Sequence, residues 1–303
     1  MIRLLQRLIL ICIVSFSQAQ DTGTAPLRTA IERIVAGKDV VVGVSVLSGD
    51  GRDTLSLNGS RRFPLQSVFK FHIAAAVLQQ IDQRRFALTD SIEVRGPQLL
   101  PGLWSPLREE HPNGGWFTIA ALIRYSVSQS DNAACDALLR LAGGPAAVER
   151  FFHSNGITDI AIVLNEETMQ KDWEQMFLNW STPLAATEAV RLLYVNRNGL
   201  LSTQSHRFLW TVMRETETGL KRLKGNLPPG TAVLHKTGSS GTNSTGITEA
   251  VNDIGIIVLP DGRHIYISVF VSRSRENSET NERIIAEIAK AAYDHFTGRP
   301  KKN

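Results

Sequence analysis

The centre of the chain, from residue 67 to about 210, carries apolar residues at helical spacing. The period of 3.6 residues predicts helices at 117–125, 133–141, 146–154, 182–196 and 204–213. Two long loops are predicted between them, at 94–115 and 164–182. Long loops inside compact domains are often functional, so both are candidates for lining a site.

The two ends of the chain have a different pattern. Val40–Leu47 and Thr54–Leu57 flank a turn-forming Ser-Gly-Asp-Gly stretch and predict a hairpin. Further strands are predicted at 232–237, 254–259 and 265–271, and terminal helices at 27–36 and 280–296. This order predicts an α/β fold of the α+β kind, in which one antiparallel sheet is assembled from both chain ends. The sheet lobe would comprise residues 25–58 and 211–296, with a helical lobe inserted at 59–210 and a site in the groove between them.

The first residues have the pattern of an export signal. Arg3 and Arg7 precede an apolar run, Leu8–Phe16, and the small residues of Ser17-Gln18-Ala19 suit a signal peptidase. We predict a signal peptide at 1–19, cut after Ala19, and a single domain at 20–303 with no membrane attachment after cleavage. The alternative is an uncleaved anchor, which the shortness of the apolar run disfavours.

Charge and cysteine content exclude several classes of protein. Without residues 1–19 the chain has 31 basic and 29 acidic residues, which is not the balance of a nucleic-acid-binding protein. Cys135 is then the only cysteine, so no internal disulfide can form, and its helical apolar setting predicts a small buried hydrophobe. His72 and His235 lack a second His or Cys at ligand spacing, and no phosphate loop or dinucleotide motif occurs. We expect neither a metal nor a cofactor.

Ser67 and Lys70 form the first candidate for chemistry. They are three residues apart at the start of an apolar helical pattern that follows Pro64, so a helix would place hydroxyl and amine on one face, one turn apart. Unpaired amides at a helix start favour a developing oxyanion. The pair is suited to nucleophilic catalysis.

Three more motifs complete the pattern: Ser130-Asp131-Asn132, Asn165-Glu166-Glu167 and Lys236-Thr237-Gly238. Together with Ser67-x-x-Lys70, the first and last match the set that marks class A serine β-lactamases and penicillin-binding proteins. From about residue 25 to 296 the chain resembles class A β-lactamases, most closely their PER-type extended-spectrum branch. The resemblance implies a five-stranded antiparallel sheet beside a helical lobe, a periplasmic monomer, and a small-molecule β-lactam as substrate.

The resemblance also implies catalytic roles. Ser67 would attack the β-lactam carbonyl, with either Lys70 or a water held by Glu166 as the acylation base; both remain open. Ser130, hydrogen-bonded to Lys236, would protonate the departing nitrogen. Glu166 would then activate the water that releases the acyl group.

The oxyanion would be held by the backbone N–H groups of Ser67 and Ser239. The substrate-binding residues that the resemblance implies are Asn132, Thr237, Gly238, Ser239, Arg222, Trp104 and Gln170. For Arg222, which stands where some branches carry a substitute arginine for the substrate carboxylate, a structural ion pair is the alternative. For Trp104 the alternative is surface packing.

The chain departs from the common class A pattern around Glu166. Asp136 occupies the place of an asparagine that normally fixes the loop glutamate, and a carboxylate facing Glu166 would repel it or raise its pKa. Leu164 and Asn179 occupy the places of the usual Arg–Asp clamp, and Gln170 replaces an asparagine. We predict a rearranged loop and a wider site that admits oxyimino cephalosporins.

Two other functions fit the same motifs. A D-alanyl-D-alanine peptidase is expected if Glu166 does not reach the site, and a β-lactam sensor or binding module would be acylated once and never released. Sustained turnover distinguishes a hydrolase from both.

Overall fold

The computed structural model describes residues 23–298, so the predicted signal peptide lies outside the described residues. The α-helices are α1 (Ala25–Val35), α2 (Phe69–Asp82), α3 (Pro106–Glu110), α4 (Ile119–Ser128), α5 (Asn132–Leu141), α6 (Pro145–Ser154), α7 (Glu166–Met169), α8 (Pro183–Val195), α9 (Thr203–Arg214) and α10 (Ser278–Thr297). The strands are β1 (Val41–Ser48), β2 (Thr54–Leu57), β3 (Phe63–Pro64), β4 (Ser91–Arg95), β5 (Gly114–Thr118), β6 (Ile160–Ala161), β7 (Trp180–Ser181), β8 (Val233–Ser239), β9 (Val251–Val258) and β10 (His264–Ser272).

The main sheet has five antiparallel strands in the order β2-β1-β10-β9-β8. The two strands from the start of the chain, β2 and β1, join the three from its end where β1 pairs with β10, which confirms the predicted fold class. β1, β9 and β10 are buried over almost their whole length because helices cover both faces. α1 and α10 close one face around a core that includes Leu27 and Ile284. α8 packs on the other face and joins the sheet to the helical part of the chain.

Helix α2 runs through the centre of the helical part and is buried on nearly all sides. Its apolar side chains contact α4, α5, α6 and α9, so they contribute to a core all round the helix. Such burial fixes the helix rigidly, since each side chain has close-packed neighbours. The residues at its N-terminus, including Lys70, are therefore held in one place.

The two predicted long loops contain structure of their own. Across the first, β4 and β5 form an antiparallel pair in which Glu93 lies opposite Trp116. The helix predicted from residue 117 begins instead at Ile119, because the Thr118 hydroxyl caps it by accepting the Ala121 N–H at 3.1 Å and leaves Phe117 in β5. The second loop contains α7, a 3₁₀ segment at Trp173–Leu178 and β7.

A small three-stranded sheet, β3-β7-β6, connects the second loop to the segment before Ser67. Pro64 pairs with Trp180, and Trp180 also pairs with Ala161. Both ends of the loop are thereby attached next to the start of α2. The loop's position relative to Ser67 is set by backbone pairing as well as by side chains.

Candidate active site

Ser67 lies in a 3₁₀ turn, Gln66–Val68, that leads directly into α2. Gln66 has a left-handed backbone, φ 47°, which turns the chain out of β3 and into the helix. Strand β8 lies close against this turn at Gly238, where an added Cβ would come within 2.6 Å of the Leu65 carbonyl oxygen and 3.3 Å of the Ser67 nitrogen. Glycine is therefore required at position 238 for the close approach of β8 to the Ser67 turn.

The Lys70 amine lies at the centre of the candidate site and is completely buried. It is 2.9 Å from Ser67 Oγ, 2.8 Å from the carbonyl oxygen of Ser130 and 2.9 Å from Glu166 Oε1, and it also contacts Asn132 Oδ1. An ammonium has three protons and four acceptors are within reach, so the hydrogen bonds can redistribute when a proton moves. This arrangement connects the Ser67 hydroxyl to the Glu166 carboxylate through a single side chain.

Ser130 lies in the tight turn between α4 and α5, with φ 62°, so its hydroxyl is directed at Lys236 rather than along a helix. Lys236 Nζ is 2.9 Å from Ser130 Oγ and 2.9 Å from the Thr237 carbonyl oxygen. The pKa of Lys236 lies well below its usual value, first because the amine is buried and second because Lys70 carries a like charge nearby. Ser130 thus lies between the buried lysines, accepting from Lys236 with its hydroxyl and from Lys70 with its carbonyl.

Asp131 holds the Ser130 turn in place. Its carboxylate caps α5 by accepting the Ala134 N–H at 2.8 Å, and it also accepts the Leu107 N–H at 2.7 Å and the Ser105 hydroxyl at 2.8 Å. These bonds attach the segment that carries Trp104 to the turn between α4 and α5.

Glu166 begins the short helix α7 and is buried, with its neighbour Asn165 as the N-cap. Gln170 Nε2 donates to Glu166 Oε2 at 3.3 Å, one turn along. Burial and, to a smaller extent, the charge of Glu166 raise the pKa of Asp136, but the Asp136 carboxylate also makes hydrogen bonds to this loop that the sequence did not indicate. It accepts the backbone N–H groups of Glu166 at 2.8 Å and Glu167 at 3.0 Å, because these amides at the start of a helix lack intrahelical partners.

Asn179 occupies the place of the missing clamp and holds the same loop by its backbone. Its Oδ1 accepts the N–H groups of Val163 at 2.7 Å and Leu164 at 2.9 Å, and its Nδ2 donates to the Leu164 carbonyl at 2.9 Å. The side chain is fully buried. A neutral amide can satisfy donors and acceptors together, which explains why no charge pair is needed at this place.

A cleft of about 370 Å³ opens above these groups. The predicted site residues that line it are Ser67, Trp104, Ser130, Asn132, Gln170, Arg222, Thr237, Gly238 and Ser239. Lys70, Glu166 and Lys236 are fully buried beneath it, behind the serines that they contact. Residues from both predicted lobes thus meet at one opening.

The comparisons with known proteins agree with this geometry. Residues 26–296 match the beta-lactamase enzyme family. The chain is 46% identical to beta-lactamase VEB-1 of Pseudomonas aeruginosa over 94% of each chain. It is 44% identical to extended-spectrum beta-lactamase PER-1 of Pseudomonas aeruginosa, over 92% of this chain and 91% of that protein. The crystal structure of TLA-1 extended-spectrum beta-lactamase superposes with a TM-score of 0.88 at 44% identity, covering 91% of this chain and 99% of that one.

The chain belongs to the beta-lactamase enzyme family. It is a class A β-lactamase, a hydrolase that acts on β-lactams, and the predicted proximity to the PER-type extended-spectrum branch is confirmed. Among residues 23–298, no helix has the length and apolarity needed to cross a membrane. In the same part of the chain, no cluster of His, Cys, Asp and Glu side chains is arranged to hold a metal ion.

Arg222 of this β-lactamase has both of the environments considered from the sequence. Its guanidinium lines the cleft and donates to Ser239 Oγ at 2.7 Å and to the Gly238 carbonyl at 3.0 Å. It also forms an ion pair with Glu282 of α10 at 3.2 Å. The ion pair and the carbonyl leave the arginine anchored at the edge of the cleft.

The β-lactamase also contains site residues that sequence reasoning missed. Thr218 and Gly219 line the cleft, and the Thr218 hydroxyl is 2.6 Å from the Thr237 hydroxyl. Asn252 Nδ2 donates to the Pro64 carbonyl at 2.8 Å and so joins β9 to the segment before Ser67. Thr218 and Gly219 lie four and three residues before the predicted Arg222, which was an available signal for the first pair, whereas nothing local identified Asn252.

Proposed function

We propose that this β-lactamase opens the β-lactam ring through a Ser67 acyl-enzyme, which water activated by Glu166 then hydrolyses. The observation that carries the proposal is the buried Lys70 amine, which is 2.9 Å from Ser67 Oγ and 2.9 Å from Glu166 Oε1. A serine hydroxyl is a weak nucleophile at neutral pH and needs a base in contact. Either Lys70, or Glu166 acting through a water, can receive the proton. The two side chains are in contact, so either route leaves the proton on the Lys70–Glu166 pair.

The oxyanion formed by attack would be held by the backbone N–H groups of Ser67 and Ser239. The close approach of β8 at Gly238 supports this, because it brings the β8 backbone beside the Ser67 turn. One such donor contributes about 3 kcal/mol to the transition state. Since main-chain groups supply it, truncation of the Ser239 side chain would leave the oxyanion hole intact.

The departing nitrogen would take its proton from Ser130. The 2.9 Å contact from Lys236 Nζ to Ser130 Oγ supports this role, since an adjacent ammonium favours the transient loss of the hydroxyl proton. Lys70 donates to the carbonyl oxygen of the same residue at 2.8 Å and so helps to hold the Ser130 turn beside Ser67.

Substrate binding would use the walls of the cleft. Thr237, Ser239 and Arg222 form a polar edge suited to the carboxylate that β-lactams carry, and Asn132 offers an amide to the acylamino group. Trp104, whose indole donates to the Gln129 carbonyl at 2.9 Å, and Gln170 border the opening. We propose that oxyimino cephalosporins are among the substrates, because two of the similar proteins are extended-spectrum enzymes.

Burst kinetics with nitrocefin test the proposed function. Sustained turnover after any burst is expected; a single stoichiometric burst would identify a sensor or binding module instead. Turnover of D-alanyl-D-alanine peptides in place of β-lactams would identify a peptidase. For the substrate class, hydrolysis of benzylpenicillin without turnover of cefotaxime or ceftazidime would show that the proposed extended spectrum is wrong.

We also propose that the enzyme is exported to the periplasm as a monomer after cleavage following Ala19. The sequence of residues 1–19 supports export, and the absence of a membrane-spanning helix among residues 23–298 is compatible with it. Osmotic-shock fractionation tests the periplasmic location. N-terminal sequencing of the mature protein tests the cleavage site and is expected to begin at Gln20. Sedimentation equilibrium tests the monomer.

A further inference from the structure

A buried ion pair lies beneath the cleft, between strands β8 and β9. His235 Nδ1 is 2.9 Å from each oxygen of the Asp253 carboxylate, and both side chains are fully buried. Asp253 Oδ2 also accepts the backbone N–H of Leu223 at 3.1 Å. Neither member of the pair lines the cleft. Burying a carboxylate is costly, so its retention here needs an explanation.

The pair holds two chain segments that carry cations to the cleft. His235 directly precedes Lys236 on β8, and Leu223 directly follows Arg222. The Asp253 carboxylate therefore joins β8, which carries Lys236, to the turn that carries Arg222. A shift of Asp253 would move both segments.

The pair also supplies a negative charge near Lys236, whose amine has no carboxylate in contact in the described part of the chain. Among the described residues Lys236 has no ion pair with a carboxylate, since its Nζ donates to Ser130 and to the Thr237 carbonyl. Burial and the like charges of Lys70 and Arg222 lower the pKa of Lys236, whereas Asp253 and Glu166 oppose that shift. Glu166 already contacts Lys70 at 2.9 Å. Asp253 is the remaining buried counter-charge.

The hydrogen bonding of His235 favours a net negative pair. Its Nε2 has no hydrogen-bond partner, so an imidazolium would bury an unpaired N–H. A neutral ring with its proton on Nδ1 satisfies Asp253 and leaves the carboxylate charged. Lys224 also feels this charge: Asp253 raises its pKa, although burial lowers it more.

We propose that Asp253, fixed by His235, is a positioning residue of this enzyme: its buried charge keeps Lys236 protonated, and its hydrogen bonds hold the Arg222 turn over the cleft. The inference rests on the proposed function, from which the roles of Lys236 and Arg222 come. Lys236 loses its proton as the pH rises. Removing the charge of Asp253 would lower the pKa of Lys236 further, so activity would be lost at a lower pH.

The pH profile of kcat/KM for Asp253→Asn tests this inference, because that profile reports groups of the free enzyme. Its alkaline limb should move to lower pH, so the loss of kcat/KM for nitrocefin relative to the wild type should grow as the pH rises, up to about tenfold for one nearby buried charge. KM should rise more than kcat falls, because the Arg222 turn is loosened.

Thr216→Val is the matched control. It removes the hydrogen bond from the Thr216 hydroxyl to the His235 carbonyl, 2.6 Å, in the same buried region without changing any charge. Its alkaline limb should coincide with that of the wild type even if its stability falls. If Asp253→Asn fails to fold, His235→Lys cancels the same charge while Asp253 stays in place, and the limb should again move to lower pH.

An alkaline limb at the wild-type position in either folded charge variant would overturn the inference and leave the proposed function intact. A similar shift in Thr216→Val would overturn it too, because loss of a hydrogen bond in this region would then move the alkaline limb without any change of charge. Absence of turnover by the wild type would overturn both proposals together.

Discussion

The Asp136 carboxylate accepts the backbone N–H of Glu166 at 2.8 Å, so an acidic side chain on α5 holds the start of the helix that carries the proposed deacylating base. Asp136 is nine-tenths shielded from solvent, and burial raises its pKa to about 6. The two amides that it accepts, at Glu166 and Glu167, oppose that rise. The carboxylate therefore orients the helix at a cost in folding free energy above that pH.

The first prediction is a pH-dependent stability difference between the wild type and Asp136→Asn. The folded-state pKa of about 6 exceeds the ordinary aspartate pKa of 3.8, so the native state holds this proton more tightly than the unfolded state. The stabilisation is present below the lower value and is lost as the pH rises through the higher one. From pH 4 to 7 the wild type should lose up to about 3 kcal/mol relative to the variant.

Chemical unfolding of both proteins at several pH values measures this difference. The variant cannot titrate at position 136 but shares every other titratable group with the wild type. The contributions of those groups therefore cancel in the difference between the two stability curves. Parallel stability curves between pH 4 and 7 would contradict the prediction.

The second prediction concerns Glu166→Ala. The variant keeps Lys70 in contact with Ser67, so Ser67 should still be acylated, whereas release of the acyl group should slow by several orders of magnitude. Intact-protein mass spectrometry after mixing with cefotaxime should show one stable adduct. Glu167→Ala is the control, because that side chain contacts exposed Lys171 and its loss should leave turnover unchanged. Normal turnover by Glu166→Ala would disprove the assignment.

The third prediction is that Gly238→Ala impairs catalysis more than folding. The added Cβ would lie 2.6 Å from the Leu65 carbonyl, so β8 must move away from the Ser67 turn and misplace the proposed oxyanion donor on Ser239. A loss of about a hundredfold in kcat/KM is expected, equivalent to about 3 kcal/mol. At Gly96, a Cβ meets nothing nearer than 3.6 Å, so Gly96→Ala should keep full activity.

Comparing the loss of kcat/KM in Gly238→Ala with its shift in melting temperature separates the effect on catalysis from the effect on folding. A fall in stability with kcat/KM unchanged in the folded enzyme would show that the close approach of β8 is structural only.

The motif residues were predictable because their chemistry is carried by local spacing. Ser67 and Lys70 face one another one turn apart in any helix, and the sheet could be assembled from period-2 segments at both chain ends. The proximity of Lys236 to Ser130 came from family resemblance, since the two residues are far apart in sequence. No rule of local spacing brings them within 2.9 Å.

The contacts that fix the Glu166 loop were not predictable in the same way. The resemblance identified Asp136 and Asn179 as departures, and the expected charge repulsion between Asp136 and Glu166 is present, but the hydrogen bonds from the Glu166 and Glu167 amides to Asp136 were not foreseen. The capping was missed for a physical reason: a carboxylate is placed by the donors available to it, and the free amides of α7 appear only when that helix forms. The His235–Asp253 pair was missed because the strand predicted at 254–259 began after Asp253, whereas β9 begins at Val251 and places Asp253 beside β8.

The last prediction concerns Asn179→Ala. This change removes the hydrogen bonds to Val163 N–H, Leu164 N–H and the Leu164 carbonyl, and a weaker one to Met169 Sδ, and leaves the three backbone groups without these partners. Unfolding free energy should fall by about 2–4 kcal/mol. Asn179 holds the loop that carries Glu166 and does not hold α2, which carries Lys70. Acylation should therefore be retained while deacylation slows. The nitrocefin burst should therefore keep its amplitude and be followed by a slower steady state.

Asn155→Ala is the matched control, since its side chain donates only to the Phe151 carbonyl at the end of α6, away from the cleft. It should lose less stability and keep the wild-type steady state. Hydrogen exchange over residues 163–169 should rise in Asn179→Ala and not in Asn155→Ala. If burst amplitude and steady-state rate fell together in Asn179→Ala, the loop would be positioning Ser67 and Lys70 as well as Glu166, and the separation of acylation from deacylation would be wrong.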